Sequence, residues 1–138
     1  MSRRKVLFLC TGNSCRSQMA EAIVNDRLGN TWEAVSAGTK PTGTVHQKAL
    51  AVLAEIDIQH TGRSKHADEF RDVDFDLVVT LCDEAAENCP IWQGKGKLVH
   101  HSIPDPSKTN KMNDFRKVRD GLECEIIYLL VNYNGSAR

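Results

Sequence analysis

The run Lys5-Val6-Leu7-Phe8-Leu9 leads straight into Cys10-Thr11-Gly12-Asn13-Ser14-Cys15-Arg16-Ser17, and an amphipathic helix begins at Arg16. No other feature restricts the fold as much. The short apolar run is rich in β-formers and reads as a buried strand. Met19, Ala20, Ile23, Val24 and Leu28 recur at helical spacing over Arg16–Leu28, and Gly29-Asn30 is a suitable stop. The loop between strand and helix holds a cysteine, five further residues and an arginine, enough for a ring of backbone N–H groups closed by a guanidinium. Gly12, together with Asn13, is expected to take the positive φ that turns successive amides toward one centre. The helix N-terminus adds partial positive charge, and Arg16 offers a planar fork to a tetrahedral oxyanion. Thr11, Gly12, Asn13, Ser14, Cys15, Arg16 and Ser17 are therefore the expected oxyanion-binding residues. The same field favours the thiolate of Cys10 as a nucleophile, with the Ser17 hydroxyl placed to donate to it.

The rest of the chain repeats the alternation of strand and helix. Trp32–Ser36, closed by Ala37-Gly38, reads as a second strand, and Ala49–Ile56 as a second helix with Leu50, Leu53 and Ala54 inward. Phe75–Leu81 is the clearest strand and runs into Cys82; Lys97–His100 is a weaker fourth. Asn113–Val131 reads as a long helix with Phe115, Val118, Leu122, Ile126 and Leu129 on its buried face. Such alternation implies right-handed crossovers and a parallel sheet covered on both faces. The expectation is a three-layer α/β/α fold with a four-stranded parallel sheet, in a single catalytic domain over residues 1–138. Ligands of such sheets bind beyond the carboxyl ends of the strands, where Cys10 and Cys82 both lie.

Charge then narrows what the loop serves. Lys plus Arg and Asp plus Glu number 18 each, so the net charge is zero. Long-range attraction to nucleic acid or to an anionic membrane is absent, and any anion must be gripped locally. Val6-Leu7-Phe8-Leu9 is too short for a membrane span or a secretory h-region. A cytoplasmic location follows as an expectation, and there the five cysteines (Cys10, Cys15, Cys82, Cys89 and Cys124) point to chemistry or metal binding rather than to a disulfide framework. A monomer is expected, since nothing in the pattern demands a partner subunit.

The stretch from Cys10 to Glu21 resembles the phosphate-binding loop of low-molecular-weight tyrosine phosphatases, and more closely that of the thioredoxin-coupled arsenate reductases related to them. The resemblance continues through Ser36-Ala37-Gly38, Val78-Val79-Thr80-Leu81-Cys82, Cys89-Pro90, Asp105-Pro106 and Phe115-Arg116-Lys117-Val118-Arg119-Asp120. It implies a fold of four parallel strands flanked by helices, with Cys10, Arg16, Asp105, Cys82 and Cys89 as catalytic residues. Cys10 would attack arsenic while Asp105 assists loss of water. Cys82 would then attack the Cys10 sulfur, releasing arsenite, and Cys89 would attack Cys82. Thioredoxin would reduce the resulting Cys82–Cys89 disulfide, with no tightly bound cofactor. Asp83–Asn88 has helix-forming content, and seven helical residues span about 10 Å, whereas a disulfide needs its Cα atoms within about 7 Å. The segment is therefore expected to unwind on oxidation.

Two departures from the resembled pattern stand out. Pro104 occupies the position before Asp105 where relatives carry a second acid. Some relatives hold a potassium ion beside the loop; Asn13, Glu21 and Ser36 match its ligands, but Arg63-Ser64-Lys65-His66 supplies no acidic one. Either the Lys65 ammonium takes the cation's place against Glu21, or Lys65 is a solvated surface lysine.

The alternatives are a low-molecular-weight tyrosine phosphatase and a thiol or zinc-binding protein. The phosphatases usually carry a tyrosine soon after Asp-Pro, whereas Ser107-Lys108-Thr109-Asn110 stands here. Weak hydrolysis of aryl phosphates is nevertheless expected. Cys82, Cys89, His100 and His101 fit no compact zinc spacing. His46, His60 and His66 read as surface or loop residues, Cys15 as a structural thiol and Cys124 as a packing residue.

Overall fold

A computed structural model of the chain describes residues 3–83 and 91–133. Four strands, β1 (Arg4–Cys10), β2 (Trp32–Gly38), β3 (Leu77–Thr80) and β4 (Lys97–His100), form one parallel sheet in the order β2-β1-β3-β4. Leu9 lies opposite Ala37 on one side and Thr80 on the other, and Cys10 lies opposite Gly38. The chain leaves β1 toward one neighbour and later crosses back to place β3 on the other side. The carboxyl end of β1 is thus the point where strand order reverses, which is where open α/β sheets bind ligands.

Burial follows from the pleat. Side chains alternate across a strand, so Val6 and Phe8 join one core and Leu7 and Leu9 the other. The first core takes in the buried faces of α1 (Arg16–Leu28), α2 (Gln47–Ala54) and α3 (Met112–Val131). The second is closed by Phe75, Val78, Phe70, Val73 and Trp92, around a short 3-10 helix at Ala67–Phe70. β1 from Val6 onward and the whole of β3 are buried because both faces are covered there. β4 is the exposed edge and alternates poorly, which explains its weaker signal.

The second helix departs from its expected face: Ala49, Val52 and Leu53 are buried, whereas Leu50 is half-buried and Ala54 exposed. It begins at Gln47 because the His46 side chain accepts the Lys48 N–H as its cap. On α3, Leu130 rather than Leu129 is fully buried, and Cys124 is exposed rather than packed. No helix among the described residues is long and apolar enough to cross a membrane.

Candidate active site

The loop after β1 is shaped by the segment that follows β2. Lys40, Thr42 and His46 donate backbone N–H groups to the carbonyls of Thr11, Gly12 and Ser14 at 2.9, 3.0 and 3.0 Å. The Gln18 side chain donates to the Asn13 carbonyl at 3.3 Å. In a trans peptide the C=O and the following N–H point in opposite directions. With these carbonyls drawn outward, the N–H groups of Gly12, Asn13, Ser14 and Cys15 turn inward. Asn13, at φ +48, supplies the left-handed residue; the expectation that Gly12 would do so is not met. Asn tolerates this conformation through its short polar side chain. Gly12 and Gly38 serve close approach instead, since a Cβ on Gly38 would come within 2.4 Å of the Thr11 carbonyl. At the start of α1 no side chain caps the first N–H groups, which stay available to an anion.

The hydrogen bonds behind the loop run in one direction. Asn13 Oδ1 accepts the Lys65 backbone N–H at 2.9 Å, and a backbone amide can only donate. Asn13 Nδ2 therefore faces Ser17 Oγ, at 2.8 Å, and donates to it. The hydroxyl is fully buried, and Cys10 Sγ at 2.8 Å is the acceptor placed for its own proton. The Asn13 backbone N–H adds a second donor to the sulfur at 3.2 Å. Two donors on a buried sulfur suit a thiolate nucleophile. Further back, Gln18 Nε2 donates to Asn13 Oδ1 and to the Arg63 carbonyl, both at 2.9 Å, so Gln18 Oε1 accepts from His60 Nε2 at 2.8 Å. Burial lowers the His60 pKa, Glu21 opposes this and Lys65 adds to it. His60, a half-buried residue of the segment before the 3-10 helix, is thus part of the loop's support.

Arg16 is only 3% exposed. Its Nη1 donates to the carbonyls of Leu81 and Ile103 at 3.4 and 3.0 Å, and its Nη2 lies 3.9 Å from Asp105 Oδ2. Asp105 Oδ1 accepts from Ser107, from the backbone N–H at 3.0 Å and from the hydroxyl at 2.7 Å. Cys10, Arg16, Asp105 and Ser107 line one cavity of about 190 Å³, together with Thr42 and His46. Nothing in the residue pattern marked His46 or His60; the usable signals were a helix start left without a Ser, Thr, Asn or Asp cap, and a lone glutamine in the first turn of α1.

The thiols differ sharply in environment. Burial first, and then Asp105, pushes the Cys15 thiol up to about 12, so it stays protonated and unreactive beside the nucleophile. Cys82 is fully buried two residues beyond Thr80, next to the strand that ends in Cys10. It is disulfide-bonded, whereas Cys10, Cys15 and Cys124 are free. Cys89, and the expected unwinding of the segment before it, lie outside the described residues. His100 Nδ1 is bonded to the Thr80 hydroxyl and His101 Nε2 to Glu125, each at 2.7 Å.

The expected potassium ligands do not fit a potassium ion. Both lone pairs of Asn13 Oδ1 are taken by N–H donors, and the Ser36 hydroxyl donates to Glu21 Oε1 at 2.7 Å. The Lys65 side chain, 8% exposed, places its Nζ 3.7 Å from the same Glu21 oxygen and donates to the Arg63 carbonyl at 2.9 Å. Lys65 is therefore not a solvated surface lysine.

Comparison with known proteins agrees with this geometry. The family model for low molecular weight phosphotyrosine protein phosphatase matches residues 5–136. The arsenate reductase of Staphylococcus aureus (strain N315) is 40% identical over 130 residues, covering 91% of this chain and 95% of its own. The solved arsenate reductase of Archaeoglobus fulgidus DSM 4304 matches with a TM-score of 0.81 at 30% identity, over 92% of this chain and 99% of that one. An arsenate reductase solved in a phosphate-binding state gives 0.82 at 28% identity, over 95% and 99%. Sequence, sheet order and loop all point the same way: the chain belongs to the low molecular weight phosphotyrosine protein phosphatase family.

Proposed function

We propose that this protein is an arsenate reductase that works through a relay of three thiols in the cytoplasm and is regenerated by thioredoxin. The observation that carries the reading is Cys82. Phosphate ester hydrolysis needs Cys10, Arg16 and Asp105 but no second thiol, yet Cys82 lies fully buried two residues beyond β3, the strand that pairs with that of Cys10. The kinship with arsenate reductases supports the same reading.

In this scheme arsenate enters the loop and the Cys10 thiolate forms a sulfur–arsenic bond. Asp105 delivers a proton to the departing oxygen, which leaves as water. The Cys82 thiolate attacks the Cys10 sulfur. The sulfur–arsenic electron pair stays on arsenic, which is reduced by two electrons to arsenite, and a Cys10–Cys82 disulfide remains. Cys89 attacks Cys82 and frees Cys10; the dithiol of thioredoxin then reduces the Cys82–Cys89 bond. Weak hydrolysis of small aryl phosphates accompanies this activity, because the loop grips phosphate and arsenate alike.

The test is arsenate-dependent NADPH consumption with thioredoxin and thioredoxin reductase supplied. Wild type is expected to turn over many times, Cys10→Ser not at all, and Cys82→Ser and Cys89→Ser to fail after at most one cycle. Robust aryl phosphate hydrolysis without NADPH consumption would make the protein a phosphatase instead.

We further infer that Lys65 supplies internally the charge that potassium supplies in some relatives. Wild type is expected to show the same rate and the same melting temperature in potassium and sodium chloride, and Lys65→Ala to lower both alike in either salt. A wild-type rate or melting temperature that prefers potassium would refute the substitution.

A further inference from the structure

The walls of the oxyanion cavity outside the loop itself are formed by Thr42, His46, Asp105 and Ser107. Two of the hydrogen-bond donors among them are already engaged. The Thr42 hydroxyl donates to the Thr44 carbonyl at 2.9 Å, and the Ser107 hydroxyl to Asp105 at 2.7 Å. His46 differs. Its Nδ1 accepts the Lys48 backbone N–H at 3.1 Å, and that amide can only donate. A neutral imidazole whose Nδ1 accepts must carry its proton on Nε2. Nε2 has no partner among the described residues, and none of their buried side-chain nitrogens lacks one, so Nε2 is accessible to solvent on a residue that lines the cavity.

The ring is also held firmly. It packs against the buried Phe115 ring at 4.8 Å, and the His46 backbone N–H is tied to the Ser14 carbonyl of the loop at 3.0 Å. A rigid donor fixed to the loop is suited to reading a ligand rather than adapting to it.

We propose that His46 determines specificity at this site, donating its Nε2–H to an oxygen of the bound oxyanion that the loop amides leave at the cavity mouth. The inference rests on the reading of the cavity as an arsenate site. Free arsenate presents a charged or hydroxylic oxygen there, whereas an aryl ester presents its bridging oxygen, a poor acceptor whose lone pairs are drawn into the ring. A site built to donate to a substrate oxygen discriminates against the analogue that accepts poorly. His46 thus favours the inorganic oxyanion over a phosphate monoester.

Two substitutions separate this role from helix capping. In His46→Asn the amide oxygen replaces Nδ1 and keeps the cap, but nothing replaces Nε2–H. In His46→Gln the amide N–H reaches the position of Nε2, and the cap is lost. Both are made in a Cys10→Ser background, which prevents turnover, and the affinities for arsenate and for phenyl phosphate are measured by calorimetry. His46→Asn is expected to weaken arsenate about tenfold, His46→Gln to stay near the parent, and phenyl phosphate to change little in either. The reverse order, or equal losses for both ligands, would mean that His46 acts only as a cap; no loss for arsenate in His46→Asn would also overturn the proposal. Because binding is read without turnover, this result stands apart from the NADPH assay. A protein that binds arsenate as expected but never reduces it keeps the His46 role and loses the reductase reading.

Discussion

Ser17 is the residue on which Cys10, the proposed nucleophile, most directly depends. Its hydroxyl, fully buried, accepts from Asn13 Nδ2 and has the Cys10 sulfur as the acceptor placed for its own proton. Hydrogen bonds to a charged acceptor are worth about 1.5–3 kcal/mol. Ser17→Ala is accordingly expected to slow alkylation of Cys10 by iodoacetamide at neutral pH by roughly tenfold or more. An unchanged rate would show that the Asn13 backbone N–H alone sustains the thiolate. Much of this was legible in the residue string, where Cys10, Arg16 and Ser17 stand in order between an apolar run and a helical one. Asn13 was legible only in part, because a Gly-Asn pair offers two candidates for positive φ and only the long-range bonds from Gln18 and Lys65 decide between them. Lys65 was open for a related reason: whether a lysine is solvated or buried depends on a carboxylate far away in the chain, here Glu21.

At the scale of elements, α2 and α3 are joined by a cluster of charges. Glu55, at the carboxyl end of α2, accepts from Arg116 at 2.8 Å and from Arg119 at 2.7 Å. These hydrogen bonds, Arg116 first, hold its carboxyl down to about 2, below the ordinary carboxylate range. A carboxylate whose folded value is depressed stabilises the fold above its unfolded value, and that support is lost as pH falls toward the folded one. Glu55→Gln is therefore expected to lower the melting temperature at neutral pH by a few degrees, since exposed pairs contribute little. The gap from wild type should narrow as the pH drops from about 5 to about 3. A gap that stays constant over that range in thermal scans would assign the effect to packing. The limits of α1 and β4 agree with their sequence patterns, because Arg16–Leu28 has one clear apolar face and Lys97–His100 is bounded by turn-forming residues. The start of α2 was not legible: histidine is an uncommon cap, and without it the apolar spacing of Leu50, Leu53 and Ala54 competes with that of Ala49, Val52 and Leu53.

For the whole molecule, strand order was the property that periodicity alone left open. Apolar runs and helical faces indicate a parallel sheet with covered faces, but placing β1 between β2 and β3 depends on crossovers that no local pattern encodes. That placement brings Cys10 and Cys82 to one end of the sheet, and Arg16 then ties the arrangement together. Its guanidinium holds the carbonyls of Leu81 and Ile103, the residues that lead into Cys82 and toward Asp105. The group proposed to receive substrate is thus also the fastening from which the Cys82 segment and the Asp105 loop hang. An evolving lineage could trade mouth residues such as Thr42 or Ser107 one at a time and retune what enters. Arg16 admits no such gradual exchange, because altering it would loosen substrate, thiol and acid in a single step. Innovation in this architecture is steered to the rim, while the centre is inherited whole.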